Sequence, residues 1–156
     1  MSLDSGFVVK AKEFFERYFL DVVLKDYVNF HGRASLAEFW YFVVCYFIVG
    51  FSALLLVGVI SSVLNIFPSF FLTLIFITIL NFLPLLLSIA LCVPYVCISI
   101  RRLHDIGKPG IFCLVSLIPL AGLFILIYFL AQKGDVESNA YGPVPGTMEE
   151  DLTESM

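Results

Sequence analysis

The sequence predicts an all-α fold: an integral membrane helical bundle of three transmembrane helices, with four as the alternative count, preceded by an N-terminal amphipathic helix. Three observations carry this. A run of 62 residues, Phe39 to Ile100, contains no Lys, Arg, Asp, Glu or His. A second run of 24, Pro109 to Gln132, is equally uncharged. Hydrophobic residues make up 60% of the chain and charged residues 14%, against roughly 45–50% and about 25% in soluble domains. Lipid suits such runs better than a soluble core, since a helix crosses a bilayer with about 20 apolar residues. Between the two runs stands one charged island, Arg101-Arg102-Leu103-His104-Asp105-Ile106-Gly107-Lys108.

At 156 residues the chain is a single domain at most. Three regions divide it: an amphipathic helix within 1–30, a transmembrane helical domain at 31–133, and an acidic, partly disordered tail at 134–156. No apolar segment with a small-residue cleavage site opens the chain, so the first membrane helix is expected to target it.

The first region reads as a helix over residues 7–28. Phe7, Ala11, Phe14, Phe15, Tyr18 and Val22 recur on one face at 3.6 residues per turn, with Lys10, Glu13, Glu16 and Arg17 opposite. Its charges nearly cancel, which suits a helix lying at the interface or packed on the bundle better than one seeking anionic lipid. The same period also fits a docking helix for a partner. Gly32 ends the region. Ser35-x-x-Glu38 then forms a capping-box pattern ahead of the apolar run, placing the first membrane helix start near Leu36. Trp40 and Tyr41 stand where an interfacial aromatic belt belongs.

From Phe39 to Val63 a helix would be roughly 37 Å long, enough for a ~30 Å hydrocarbon layer with tilt. Asn65 and Pro68 mark a turn. Phe70 to Ile100 is too long for one straight crossing and too short for two, so one long helix kinked at Pro84 and Pro94 is expected. The four-helix alternative makes Asn81–Pro84 a tight turn. Ile111 to Leu130 reads as the last crossing, with Pro119 and Gly122 tolerated by packing. Three crossings with a cytoplasmic N-terminus put eight Lys and Arg inside and one, Lys133, outside; this bias favours three over four.

Cys45, Cys92, Cys97 and Cys113 all lie in apolar stretches without metal-site spacing, and read as small buried hydrophobes. No phosphate loop, nucleophile elbow or zinc-binding helix motif is present. Neither catalytic, cofactor nor metal residues are assigned, and no cofactor is expected. No basic groove with interleaved aromatics suggests nucleic acid. The uncharged spans argue against an ion-coupled pump, which needs ionisable groups at membrane depth.

One polar constellation remains. Arg33 and Glu38 fall at the same membrane face as Arg101, Arg102, His104 and Asp105. The plain reading is topology anchoring plus pairing, Glu38 with Arg101 or Arg102 and Asp105 with Arg33. The sharper reading is an anionic headgroup or solute held by Arg33, Arg101 and Arg102, since guanidinium groups suit phosphate. A His104–Asp105 proton relay or metal site is a third.

Three stretches carry a resemblance: Phe30-x-Gly32-Arg33-Ala34-Ser35-x-x-Glu38-Phe39-Trp40, the island Arg101 to Lys108, and Asn139-Ala140-Tyr141-Gly142-Pro143-Val144-Pro145. Together they resemble a bacterial inner-membrane family known as domain-of-unknown-function family 805, over roughly residues 27–145. The chain departs from that pattern at Leu36-Ala37, Ile111-Phe112, Ala140 and Val144. The resemblance implies a multi-pass protein of a bacterial inner membrane and supplies no activity. Taken with the residues, it leads to the expectation of a small non-enzymatic inner-membrane protein acting by assembly with itself or with a membrane partner. The alternative is a small permease or an anionic lipid or solute binder using the arginine cluster. The bilayer is the expected partner in either case.

Overall fold

The computed structural model describes residues 12–64 and 70–146. Phe7, Lys10 and Ala11 of the expected first helix, the Asn65–Pro68 turn and the acidic residues from Glu149 onward lie outside the described residues. Among the described residues the fold is all-helical, apart from one isolated bridge between Asn139 and Gly142.

The first helix, α1, covers residues 12–24, with a π-helical stretch at Glu16–Leu20 passing into α-helix at Asp21–Leu24. Phe19 and Val22 are buried and Phe15 packs beside them. Phe19, four residues past Phe15 and three before Val22, is not on the face that the sequence pattern outlined, whereas Phe14 of that face is exposed. Phe14 and Tyr18, one turn apart, both meet the ring of Tyr41, at 4.6 and 5.0 Å.

Helix α2 spans Leu36–Leu64 and α3 spans Phe70–Asp105. Each carries an apolar stretch of membrane length, Leu36–Val63 and Thr73–Asp105. The expected capping box forms at the start of α2: Glu38 N–H donates to Ser35 Oγ at 3.1 Å, and Ser35 N–H to Glu38 Oε2 at 3.4 Å. Helix α3 runs without a break through Asn81–Pro84, so the four-helix alternative does not hold. Pro94 has no N–H to offer the carbonyl of Ala90; the Tyr27 hydroxyl donates to that carbonyl instead, at 2.7 Å. Helix α3 stops at Asp105 in a Schellman turn. Lys108 N–H reaches Leu103 O, Gly107 N–H reaches His104 O, and Gly107 takes φ +68°.

The expected third crossing, Ile111 to Leu130, is not a single membrane-length helix. It folds as a 3₁₀ helix, Gly110–Leu117, and a ten-residue helix α4, Ala121–Leu130, joined by a sharp reversal. Leu120 sits at φ 64°, ψ −57°, with Ala121 N–H on Pro119 O at 2.7 Å, the geometry of the strained γ-turn. Pro119 explains the break, since its ring would clash with the Val115 carbonyl in a continuous helix. That carbonyl takes the Ile118 N–H instead, and it lies so close to Gly122 that any Cβ there would collide with it. Pro119 and Gly122 therefore make the turn rather than being tolerated within a span. The arms meet again near their other ends, with the Phe112 and Phe129 rings 5.7 Å apart.

The buried core gathers Phe19 and Val22 of α1, Phe39, Phe42 and Cys45 of α2, Leu91 and Ile98 of α3, and Leu126 and Leu130 of α4. Cys45 and Cys97 are buried as expected, Cys113 is half-buried, and Cys92 is exposed, which corrects the reading of all four as buried.

Candidate functional site

The described chain makes three approaches to the C-terminal end of α3. The loop before α2 comes first: Ala34 N–H donates to Arg101 O at 3.0 Å. The turn after α1 comes alongside it, and the segment after α4 closes the other flank, with Asp135 N–H on Asp105 O at 2.8 Å. All six residues singled out from the sequence lie in or beside this junction.

Asp105 is its centre and is almost fully buried. Arg33 approaches one carboxylate oxygen, with Nε and Nη2 at 3.0 and 2.9 Å from Oδ1. Arg102, one turn before Asp105 on the same helix, binds the other oxygen through Nη1. Both arginines then turn their remaining N–H groups on the returning chain. Arg33 donates to the carbonyls of Asp135 at 2.7 Å, Glu137 at 2.8 Å and Gly142 at 3.4 Å. Arg102 donates to Leu130 O at 3.1 Å and to Gln132 O. Two guanidinium forks thus hold one carboxylate and five backbone carbonyls, the multi-donor geometry that arginine provides and lysine does not. Gly134 is required for the fit, because a Cβ there would run into the Asp105 carboxylate.

Arg101 serves the opposite flank. Its Nη1 lies 3.3 Å from Asp26 Oδ2 and its Nη2 3.4 Å from Glu38 Oε1, with Arg33 O also 3.4 Å from Nη2. The Glu38–Arg101 and Asp105–Arg33 pairs are those that the spacing suggested. Asp26 was missed: it lies 75 residues from Arg101, in the turn after α1, and its place among the nearly cancelling charges of the expected 7–28 helix gave no hint of a distant partner. His104 belongs to the junction but not to the ion pairs. Its Nδ1 is 3.1 Å from Gly32 O, and its ring stacks on Tyr141 at 4.0 Å and 3°. Asn139 ties the same corner, donating to His104 O and Asp135 Oδ2, both at 2.9 Å. The Asn139-to-Gly142 motif is therefore a docking piece for the island, a role visible only once the two are in contact.

Chemically the junction is an ion-pair clasp. Three guanidinium groups, Arg33, Arg101 and Arg102, meet three carboxylates, Asp26, Glu38 and Asp105. Among the described residues no group of three or more His, Cys, Asp or Glu could hold a metal ion. A second feature lies away from the clasp. It is a cleft of about 480 Å³ between α2 and α3, lined by Gly50, Leu54, Asn81, Pro84 and Ser88 among others. Asn81 and Ser88 each donate within their own helix, to Ile77 O and Leu85 O, and most of the lining is apolar.

Two long apolar helices bound at one end by a buried ion-pair clasp define the class, a small helical membrane protein. The chain belongs to the family described as "Protein of unknown function (DUF805)", whose profile matches residues 27–143. The match runs from the Tyr27 turn to the end of the segment that Arg33 holds, while α1 lies before it. Among known proteins the chain is similar to "Inner membrane protein YhaI" of Escherichia coli K12, 33% identical over 79% of this chain and 91% of that protein. It is also similar to "Inner membrane protein YhaH" of the same strain, 32% identical over 79% and 92% of the two chains. No solved structure matches.

Proposed function

We propose that the protein is a non-enzymatic bacterial inner-membrane protein that crosses the bilayer twice, through α2 and α3, and acts by assembly with itself or with a membrane partner. The 110–130 hairpin enters and leaves on the clasp side. Two crossings put all nine Lys and Arg on one side, since none lies between Phe39 and Ile100 and none between Pro109 and Gln132. The positive-inside rule then makes that side cytoplasmic and sets the N-terminus there. This arrangement segregates the charges more completely, nine to none, than three crossings do, eight to one. The names of the two Escherichia coli relatives support the inner membrane as the location.

One observation carries the assembly reading. The ionisable groups that were candidates for chemistry are engaged with one another: three arginines face three carboxylates and the carbonyls of a strap, residues 130–142, that leaves α4 and returns over the clasp. A site so occupied stabilises the fold and leaves the lipid-facing surfaces of α2 and α3 to do the work. The test is mass measurement of the full chain in mild detergent, with cross-linking in membranes before extraction. A defined oligomer or a reproducible membrane partner is expected; a monomer with no cross-linked neighbour would overturn the reading.

A second reading is supported by Arg101, whose buried Nε has no hydrogen-bond partner. The same guanidinium holds Asp26 through Nη1 and Glu38 through Nη2, so an anionic headgroup would bind through Nε with one oxygen. Phosphatidylglycerol retained through native mass spectrometry by the parent chain and lost in Arg101→Gln would favour it. Equal retention would leave assembly as the better account.

A further inference from the structure

We propose that the protein is a one-sided membrane wedge, which takes up more area in the clasp-side leaflet than in the opposite one and so prefers bilayers that are convex on the clasp side. The inference rests on the two-crossing topology proposed above and adds to it a coupling to membrane shape.

The taper is built from where burial stops. In α2 the buried side chains run from Phe39 to Cys45, and in α3 from Leu91 to Asp105; Val57 is the exception among the described residues. At that end α1 packs on both long helices and both arms of the hairpin pack on α3. Beyond it, among the described residues, α2 and α3 stand alone.

The hairpin reaches only halfway. Eight 3₁₀ residues extend about 16 Å at ~2.0 Å each, and ten α-helical residues about 15 Å at ~1.5 Å each. Half of a ~30 Å hydrocarbon layer is the same depth. The arms point into the bilayer rather than away from it. Gly110 abuts Ile100 so closely that a Cβ would strike its side chain, and Cys113 lies within electrostatic reach of Tyr95, more than a turn deeper along α3. At the tip Leu120 is 89% exposed, with Leu117 at 76% and Phe124 at 73%.

Lipid is the occupant these faces fit. Both ends of the hairpin are tied to the clasp, the far end through Arg102 on Leu130 O and Gln132 O, so the arms cannot extend across the bilayer while that grip holds. The segment is uncharged from Pro109 to Gln132, and apart from the face on α3 and the core, with Leu126 and Leu130, its large side chains are exposed. Apolar bodies confined to one leaflet expand that leaflet alone, and insertion of this kind is sensitive to curvature.

The test uses the full chain in vesicles of phosphatidylethanolamine and phosphatidylglycerol, prepared as small sonicated and large extruded populations. Val136→Cys, 90% exposed in the strap, reports orientation through a membrane-impermeant maleimide. Molecules with the clasp outward should be several-fold denser per unit lipid area on small vesicles, and those with the clasp inward should be depleted there. Equal density on both sizes in both orientations overturns the proposal, as it also would if a second copy covered the hairpin. Leu120→Lys, which puts a charge at the tip, should abolish the size preference; a folded variant that keeps it removes the hairpin from the account and overturns the wedge. The parent measurement stands if that variant fails to fold. His31→Cys checks the topology separately. Labels at 31 and 136 on opposite faces overturn the two-crossing reading and the wedge with it, whereas labels on one face without a size preference overturn the wedge alone.

Discussion

The two ends of this molecule are held together by different physics. At the clasp end, buried rings and ion pairs fix one arrangement: Phe42 stacks on Phe19 at 5.5 Å, Asp105 is gripped by two arginines, and the chain after α4 is held carbonyl by carbonyl. At the other end, hydroxyl and amide groups bond within their own helices, Ser62 to Gly58 O and Thr78 to Leu74 O, and large side chains such as Phe71 and Ile79 face outward. In water the second end would be a liability; in lipid it is ordinary, because tails solvate those side chains as well as a protein core does. The lesson is that stability and specificity are concentrated where lipid meets water, and the remainder of the two long helices is free to serve as contact surface.

That contrast can be broken by substitution, with chemical unfolding in detergent as the measurement. The largest effect belongs to Asp105→Ala, which leaves Arg33 and Arg102 buried without their counter-charge and should cost about 3–5 kcal/mol. Release of the strap should accompany it, seen as proteolysis near residue 136. Next is a matched pair of rings. Phe42→Ala, fully buried, should cost about 3–5 kcal/mol, whereas Phe51→Ala, 64% exposed to lipid, should stay within about 0.5 kcal/mol. Similar losses from the two would erase the distinction between the ends. A pair of glycines gives a smaller step. Gly134→Ala drives a methyl into the Asp105 carboxylate and should cost about 1–3 kcal/mol, while Gly58→Ala, with open space around it, should be neutral or stabilising, by up to about 1 kcal/mol. The smallest effect is Tyr27→Phe, which removes the hydroxyl that serves the Ala90 carbonyl left by Pro94 and should cost about 0.5–1.5 kcal/mol.

Much of this organisation was legible in the residues. The charge-free run and the capping box set where α2 begins, and the Glu38–Arg101 and Arg33–Asp105 pairs followed from charges placed on one membrane face. The third crossing was not legible. Twenty apolar residues satisfy a length criterion whether they cross or fold back, and a Lys and Arg bias of eight to one suits three crossings almost as well as nine to none suits two. The signal for reversal, Pro119 followed three residues later by Gly122, was present, but both residues also occur inside membrane helices. Asp26 and the strap escaped for another reason: a buried arginine accepts any carboxylate or carbonyl brought within reach, and reach is decided by the fold.

The amino-acid sequence by itself determined the solvent, the helical class and the one charged layer, because each follows from composition and local spacing along the chain. Tertiary structure alone decided that the last apolar segment turns back, that the Asn139–Gly142 corner docks on His104 and Arg33, and that Arg101 reaches Asp26. Those outcomes depend on contacts between residues up to 109 positions apart, where no local pattern reaches and only the closed geometry of the clasp selects the partner.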